Sequence, residues 1–155
     1  MNSTHPPFIT VIIPVFNADP YLKHAVQSII DQTFTNFEIL AINDGSTDNS
    51  AEAKGKYIAR MDADDIALPN RFEVQLNLIL ENPKIVLIGT NMEQIDGKGL
   101  TVGYIDYPAT DKSIREALRT HSAFGHPSVM FDKNAAIAVG GYRGDFMHCE
   151  DYDLW

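Results

Sequence analysis

Cysteine is nearly absent from this 155-residue chain, where Cys149 stands alone. A single cysteine excludes an internal disulfide framework and any cysteine-rich zinc site, and it suits a reducing compartment. Basic residues are also scarce, with 12 Lys and Arg against 21 Asp and Glu and a formal net charge of −9. A nucleic-acid partner needs clustered Lys and Arg to meet phosphates, so that class is excluded. No apolar run approaches the roughly 20 residues that span a bilayer. The opening MNSTHPPF lacks the basic and apolar blocks of a signal peptide. These absences give the expectation of a cytoplasmic chain with no membrane span.

What remains is 45% hydrophobic and long enough for one domain, residues 1–155, with a real core. Phe8 to Ile13 is a nearly continuous apolar run, the pattern of a strand buried on both faces. Asp19 and Pro20 read as the cap and first position of a helix, with Leu22, Ala25, Val26, Ile29 and Ile30 as its apolar stripe. NFEILAIND is a second strand, STDNSAEAK the start of a helix, and GKYIARM a third strand. Pro69 opens another helix, with Phe72, Leu76, Ile79 and Leu80 facing inward. KIVLIG reads as a strand and IDGKG as a hairpin turn. Ser113 and Glu116 suit a capping box for SIREALRT. PSVMF is a strand, NAAIAVGGY a short helix stopped by Gly140 and Gly141, and EDYDLW a helix start.

Strands alternating with helices predict an α/β fold with a mostly parallel central sheet and flanking helices. In such sheets functional residues gather at the carboxyl ends of strands. Three of those ends carry PVFN, NDGSTD and MDADD, which places them along one crevice. One junction conflicts with this pattern. A parallel crossover needs about a dozen residues or more, usually with a full helix, and only a stub separates the second strand from the third. Either those strands are not neighbours or residues are missing between Lys54 and Gly55. The second reading is the one expected, through disorder or deletion.

Each motif admits a structural and a chemical use. In MDADD, Asp62 and Asp64, one residue apart at a strand end, can converge on a hard cation such as Mg²⁺ or Mn²⁺, which fills its shell with water and substrate phosphates. An acidic entry to the next helix would use the same residues. Asp44 either makes a tight turn with Gly45 or accepts from a nucleobase or ribose, and PVFN is a strand end or a wall for a flat ring. Glu150, Asp151 and Asp153 suit a first helical turn, or Asp151 serves as a general base across the cleft. His126 and His148 are candidate ligands or acceptor contacts, and equally structural hydrogen-bonders. Cys149 reads as a passive small residue.

Taken in order, TVIIPVFNADPYLKHAVQSIIDQTFTNFEILAINDGSTDNS, GKYIARMDADDIALPNRFEVQLNLI, AFGHPSVMF, GGY and EDYDLW resemble the family 2 glycosyltransferases of the GT-A fold. The likeness runs from about Ile9 to Trp155. It implies inverting transfer of a sugar from a nucleotide-diphosphate donor, UDP-linked by the commonest family habit, to an acceptor hydroxyl. Pro14, Val15, Phe16 and Asn17 match the first nucleotide loop, and Asp44 matches the base-binding aspartate. Asp62 and Asp64 match the D-x-D pair: the second holds a divalent cation, and the first reaches ribose or the ion's water shell. Asp65 would support them. Asp151 matches the general base of the E-D motif.

The same resemblance implies a glycan or lipid-linked acceptor, polysaccharide or cell-surface glycan synthesis, and peripheral association with the inner face of the membrane. A further strand and helix that family members carry before GKY is not found, and the sequence stops before the region that closes over the acceptor. Other readings are a catalytically silent sugar-nucleotide-binding module and a haloacid-dehalogenase-like phosphatase. The phosphatase pattern places Thr or Val where Ile66 stands and leaves NDGSTD and EDYDLW unexplained. A nucleotidyltransferase would need a glycine-rich loop after the first strand.

Overall fold

A computed structural model describes residues 6–43, 53–146 and 149–155 of the chain. The first apolar run forms β1 (Ile9–Val15), in which Ile9, Thr10, Val11 and Ile13 are buried. Helix α1 (Leu22–Ile30) leads to β2 (Phe37–Asn43), which pairs parallel with β1 from Ile9↔Phe37 to Val15↔Asn43. Strand β3 (Tyr57–Arg60) pairs parallel with the other side of β1, from Ile9↔Tyr57 to Ile12↔Arg60. So β2 and β3 flank β1 and are not each other's neighbours. The helix expected within STDNSAEAK lies outside the described residues.

Chain re-entry at β3 is tight. The Gly55 amide donates to Thr10 Oγ1 at 2.8 Å, and Thr10 Oγ1 donates to Glu38 Oε1 at 2.7 Å. A Cβ at Gly55 would lie 2.3 Å from the Thr10 amide nitrogen, so only glycine fits against the backbone of β1 there.

After β3 come α2 (Arg71–Glu81), the short β4 (Leu87–Ile88), and a hairpin of β5 (Met92–Ile95) and β6 (Thr101–Ile105). The Asp96 carboxylate closes the hairpin turn by accepting from the Lys98 and Leu100 amides, with Gly99 at a φ of 79°. Helix α3 (Asp111–Ala117) and a 3₁₀ turn, His126–Ser128, precede β7 (Met130–Asp132). Helices α4 (Lys133–Ala138) and α5 (Glu150–Leu154) complete the described chain. Strand β7 runs antiparallel to both β3 and β4, giving a mixed sheet of order β2-β1-β3-β7-β4.

Alternation along β1 and β3 divides the core between the sheet's two faces. On one, Ile9, Val11, Ile13, Ala59 and Met61 pack with Ala25 and Ile29 of α1 and with Phe72, Leu76 and Ile79 of α2. Burying a side chain such as Phe72 contributes about 1.5–3 kcal/mol, and its ring meets Phe37 edge-on at 5.9 Å. On the other, Ile58, Val129 and Phe131 pack with Ala123, Phe124 and the half-buried Trp155.

Helix ends differ from the sequence expectation. The Asp19–Pro20 peptide is cis, and the Ala18 carbonyl accepts from both Tyr21 and Leu22, so the chain is still turning where α1 was expected to begin. Asp19 is therefore no cap. Helix α2 starts after Asn70, two residues past Pro69, and α3 is boxed by Thr110 and Ser113 instead of Ser113 and Glu116. Ile30 and Leu80, assigned inward by periodicity, are more than half exposed because the preceding residues, Ile29 and Ile79, take the inward position and one step along a helix turns the side chain about 100° away.

Candidate functional site

Parallel pairing on both sides of β1 brings the ends of β1, β2 and β3 to one edge of the sheet. Pro14 and Val15 close β1 there. Phe16 projects 71% exposed, and Asn17 adopts a φ of 50°, in the left-handed region that asparagine tolerates. The neighbouring end of β2 leads to Asp44, which lies outside the described residues, as does His148. At the end of β3 the Met61 amide donates to the Ile12 carbonyl at 3.1 Å. Asp62, Asp64 and Asp65 therefore turn away beside the PVFN segment. Because β7 is antiparallel, the His126–Ser128 turn that enters it sits at this same edge, with the Arg60 amide donating to Val129.

The acids are not left to repel one another unaided. Arg60 Nη1 donates to Asp62 Oδ1 at 2.6 Å and to the Met61 carbonyl at 2.8 Å. Burial pushes the Asp65 carboxyl up to about 6, and the nearby Asp62 and Asp64 carboxylates push the same way. Asp62 and Asp64, one residue apart, offer hard oxygen donors of the kind that suit Mg²⁺ or Mn²⁺. Among the described residues no three His, Cys, Asp or Glu side chains are grouped so that together they could hold a metal ion.

Arg60 and Asp62 lie on the face of β3 that also carries Ile58, and across from them stand His126, Tyr142 and α5. His126 Nε2 and the Tyr142 hydroxyl are 3.0 Å apart, and both rings pack on Trp155. Burial lowers the His126 pKa and the Arg60 charge lowers it further, whereas Asp151, Asp62 and Glu150 oppose that shift. Tyr142 is pushed up to about 12, mainly by burial. The carboxylates of Asp62 and Asp151 thus both act on His126 and Tyr142. Asp151 itself sits in the first turn of α5, which is anchored through the Tyr152 hydroxyl to the Leu118 carbonyl at 2.6 Å.

A buried brace fixes the floor. Arg71 Nη2 donates to the carbonyls of Arg60 at 2.8 Å and Val129 at 3.2 Å, and its Nε donates to Gln75 Oε1 at 3.2 Å. Gln75 in turn donates to Ser128 at 2.9 Å. Burial pulls the Arg71 guanidinium down to about 10, still charged at neutral pH, with Asp65 opposing the drop. The loop after the acids is clasped to α1: Gln32 donates to the Leu68 carbonyl at 2.8 Å and Ser28 accepts from the Ala67 amide at 3.1 Å. Beyond that loop, toward the β5–β6 hairpin, lies a cavity of about 490 Å³ lined by Asp65, Ile66, Arg71, Val74 and Met92.

The structure sets Pro14, Val15, Phe16 and Asn17 at the end of β1 and Asp62, Asp64 and Asp65 at the end of β3 along one sheet edge, where the turn carrying His126 also lies, and it places Asp151 in the first turn of α5. Cys149 is exposed and caps α5 with no side-chain bond. Sequence reasoning passed over Arg60, Tyr142, Arg71 and Gln75. Arg60 had a signal, since it stands two residues before Asp62 and so shares its face. Tyr142 and the Arg71–Gln75 brace depend on contacts across the fold.

The sequence matches the family described as Glycosyl transferase family 2 over residues 10–53 and 50–144. It is 33% identical over 180 residues to the O-antigen biosynthesis glycosyltransferase WbnJ of Escherichia coli, a match covering 95% of this chain and 70% of that protein. It is 25% identical over 178 residues to the Escherichia coli UDP-Glc:alpha-D-GlcNAc-diphosphoundecaprenol beta-1,3-glucosyltransferase WfgD, covering 95% and 68%. Several other curated relatives are spanned over only 59% of their length. Among solved structures, TarS 1-349 of S. aureus in complex with UDP superposes with a TM-score of 0.68 at 16% identity, covering 94% of this chain and 53% of that one. That likeness shows the GT-A fold.

Proposed function

Because the chain belongs to the family 2 glycosyltransferases, we propose that it moves a sugar from a UDP-linked donor to an acceptor hydroxyl, with inversion, in the synthesis of a bacterial surface glycan. The observation that carries this reading is the approach of both Asp62, at the end of β3, and Asp151, in the first turn of α5, to the His126–Tyr142 pair. The names of WbnJ and WfgD support a glycan product and a lipid-linked acceptor, and the UDP bound to TarS supports the donor.

In this reading Pro14 to Asn17 and Asp44 receive the nucleotide, with Asp62 turned toward ribose or the ion's water shell. Asp64, exposed at the cleft, and Asp62 would hold Mn²⁺ or Mg²⁺, which when bound neutralises the diphosphate against the acids and stabilises it as a leaving group. Asp151 takes the proton from the acceptor hydroxyl as its oxygen attacks the anomeric carbon from the side opposite the diphosphate. Direct displacement inverts that carbon and leaves no covalent sugar on the chain. Trp155, His126 and Tyr142 form an aromatic wall beside Asp151. Among the described residues no helix is long and apolar enough to cross a membrane. A lipid-linked acceptor would place the chain on the cytoplasmic face by peripheral contact.

A second reading, a silent sugar-nucleotide-binding module, has two observations in its favour. The family match divides at residues 50–53, and the alignment with WbnJ runs over 180 residues against the 155 of this chain. The alignment is longer than this chain, so that relative carries residues this chain lacks, and the family match divides a few residues before the Lys54–Gly55 junction. Calorimetric titration with UDP-, GDP- and dTDP-sugars, with and without Mn²⁺, tests the donor site. No heat from any of them in the presence of metal would sink it. Turnover separates the two readings: Asp151→Asn should abolish sugar transfer and leave donor affinity within about twofold. Transfer surviving that change would move the base elsewhere, and binding without turnover in the unaltered chain would favour the silent module.

A further inference from the structure

We propose that Arg60 is a positioning residue that keeps Asp62 from taking a divalent cation by itself, so that the acid loop accepts the ion only together with a diphosphate. This rests on the donor-site reading above and concerns a residue that reading does not use.

The argument is geometric. Arg60 and Asp62 are two residues apart at a strand end and so project from one face. Arg60 Nη1 is tied at once to Asp62 Oδ1 and to the Met61 carbonyl, which sets the guanidinium beside the acid and leaves it little freedom to swing. Its side chain is 14% exposed and that of Asp62 is 38% exposed. The positive group therefore lies beneath the carboxylate, on the protein side, with the carboxylate toward the cleft. Arg71 fixes the backbone under both by donating to the Arg60 carbonyl.

A dication that approaches Asp62 meets a carboxylate already shared with a fixed positive charge a few ångströms below. Unlike a surface ion pair between flexible side chains, this one has its guanidinium mostly buried and tied by a second bond, so solvent at the partly exposed Asp62 screens only part of its repulsion of an incoming ion. Asp64 is exposed and carries no such partner among the described residues, but one carboxylate is a weak site for Mg²⁺ or Mn²⁺. A diphosphate changes the balance in two ways. It supplies oxygens for the ion's shell, and its negative charge offsets the repulsion from Arg60. The ion is then admitted with the nucleotide and leaves with it.

Manganese binding to the 155-residue chain without nucleotide, followed by loss of the free Mn²⁺ signal in electron paramagnetic resonance, reads this directly. Arg60→Met should bind Mn²⁺ at least about tenfold more tightly than the unaltered chain. Adding Asp62→Asn to that variant should remove the gain, and Arg60→Lys, which keeps the charge, should retain most of the weak binding. UDP should tighten Mn²⁺ binding strongly in the unaltered chain and much less in Arg60→Met. Circular dichroism establishes that each variant is folded, and Arg60→Gln serves if the methionine variant is not. A folded variant without Arg60 that binds nucleotide-free Mn²⁺ no better than the unaltered chain overturns the proposal and leaves the ion pair a local structural contact. UDP without effect on Mn²⁺ in the unaltered chain would instead refute the donor reading and the nucleotide-dependent half with it.

Discussion

Replacing Arg71 by methionine tests whether the floor of the cleft is braced as described. The guanidinium serves three acceptors, the carbonyls of Arg60 and Val129 and the Gln75 amide oxygen. Methionine fills much of the same volume and donates to none of them. Each buried acceptor left without a partner costs about 1–3 kcal/mol. Against that loss stands the relief of a guanidinium whose burial already pulls it down to about 10. Removing a buried charge recovers part of its desolvation cost, so the net expectation is a destabilisation of about 2–4 kcal/mol. Urea unfolding followed by far-ultraviolet circular dichroism measures it as a lower midpoint at unchanged slope. Arg71→Lys should fall between the two, because an ammonium at that site reaches one carbonyl and not both. Since Arg60 leads into the segment that carries Asp62 and Val129 closes the turn that carries His126, Mn²⁺–UDP affinity should fall as well in the folded variant. Full stability in Arg71→Met, within about 0.5 kcal/mol, would refute the account of this brace.

Gly55→Ala should destabilise by about 3 kcal/mol or more, because the added methyl meets backbone atoms of Ile9 and Thr10 that have no side-chain freedom with which to yield; thermal unfolding gives the number. Asp65→Asn should stabilise the metal-free chain, by on the order of 1 kcal/mol once partial exposure is allowed for. The sign follows from an ordinary carboxyl value of 3.8 raised to about 6 in the fold: below the first value both states hold the proton, and above the second the folded state carries the full penalty. The gain should therefore be small near about pH 4 and complete by about pH 7.5. Chemical denaturation in EDTA at those two pH values checks it, and a gain independent of pH would contradict the assigned cause.

The fold was legible wherever one residue pattern had one physical solution. Phe8 to Ile13 had to be a strand covered on both faces, and a sheet built on it takes helices on each side. IDGKG closes a hairpin because Asp96 bonds across its own turn, a local event. Helix starts were less legible. Asp19 and Pro20 have the right chemistry for a cap and a first turn, but the cis peptide between them is a choice of geometry that the residues do not announce. At α3, Thr110 and Ser113 can each cap, and the backbone chose the earlier one. The place of β3 beside β1 instead of β2 is a matter of topology, and the segment that decides it lies among residues 44–52, outside those described.

Acids at strand ends were visible because charge there has few structural uses. What holds them was not visible, since Arg71 and Gln75 reach Val129 and Ser128 from 58 and 53 residues away. Those hidden contacts explain how β3 ends in three aspartates without the fold giving way. One guanidinium lies under each flank of the loop: Arg60 bonded to Asp62, and Arg71 acting on Asp65 through space. The flanking acids are thereby engaged by the protein itself, and Asp64 between them is left facing solvent. A loop required only to enter α2 needs neither the middle acid nor two buried counter-charges, because the Asn70 and Arg71 backbone begins that helix without them. Buried arginines are costly to keep. Under the proposed donor-site reading, their presence beneath a carboxylate loop with Asp64 exposed is what would let that loop keep one shape whether or not a cation is bound.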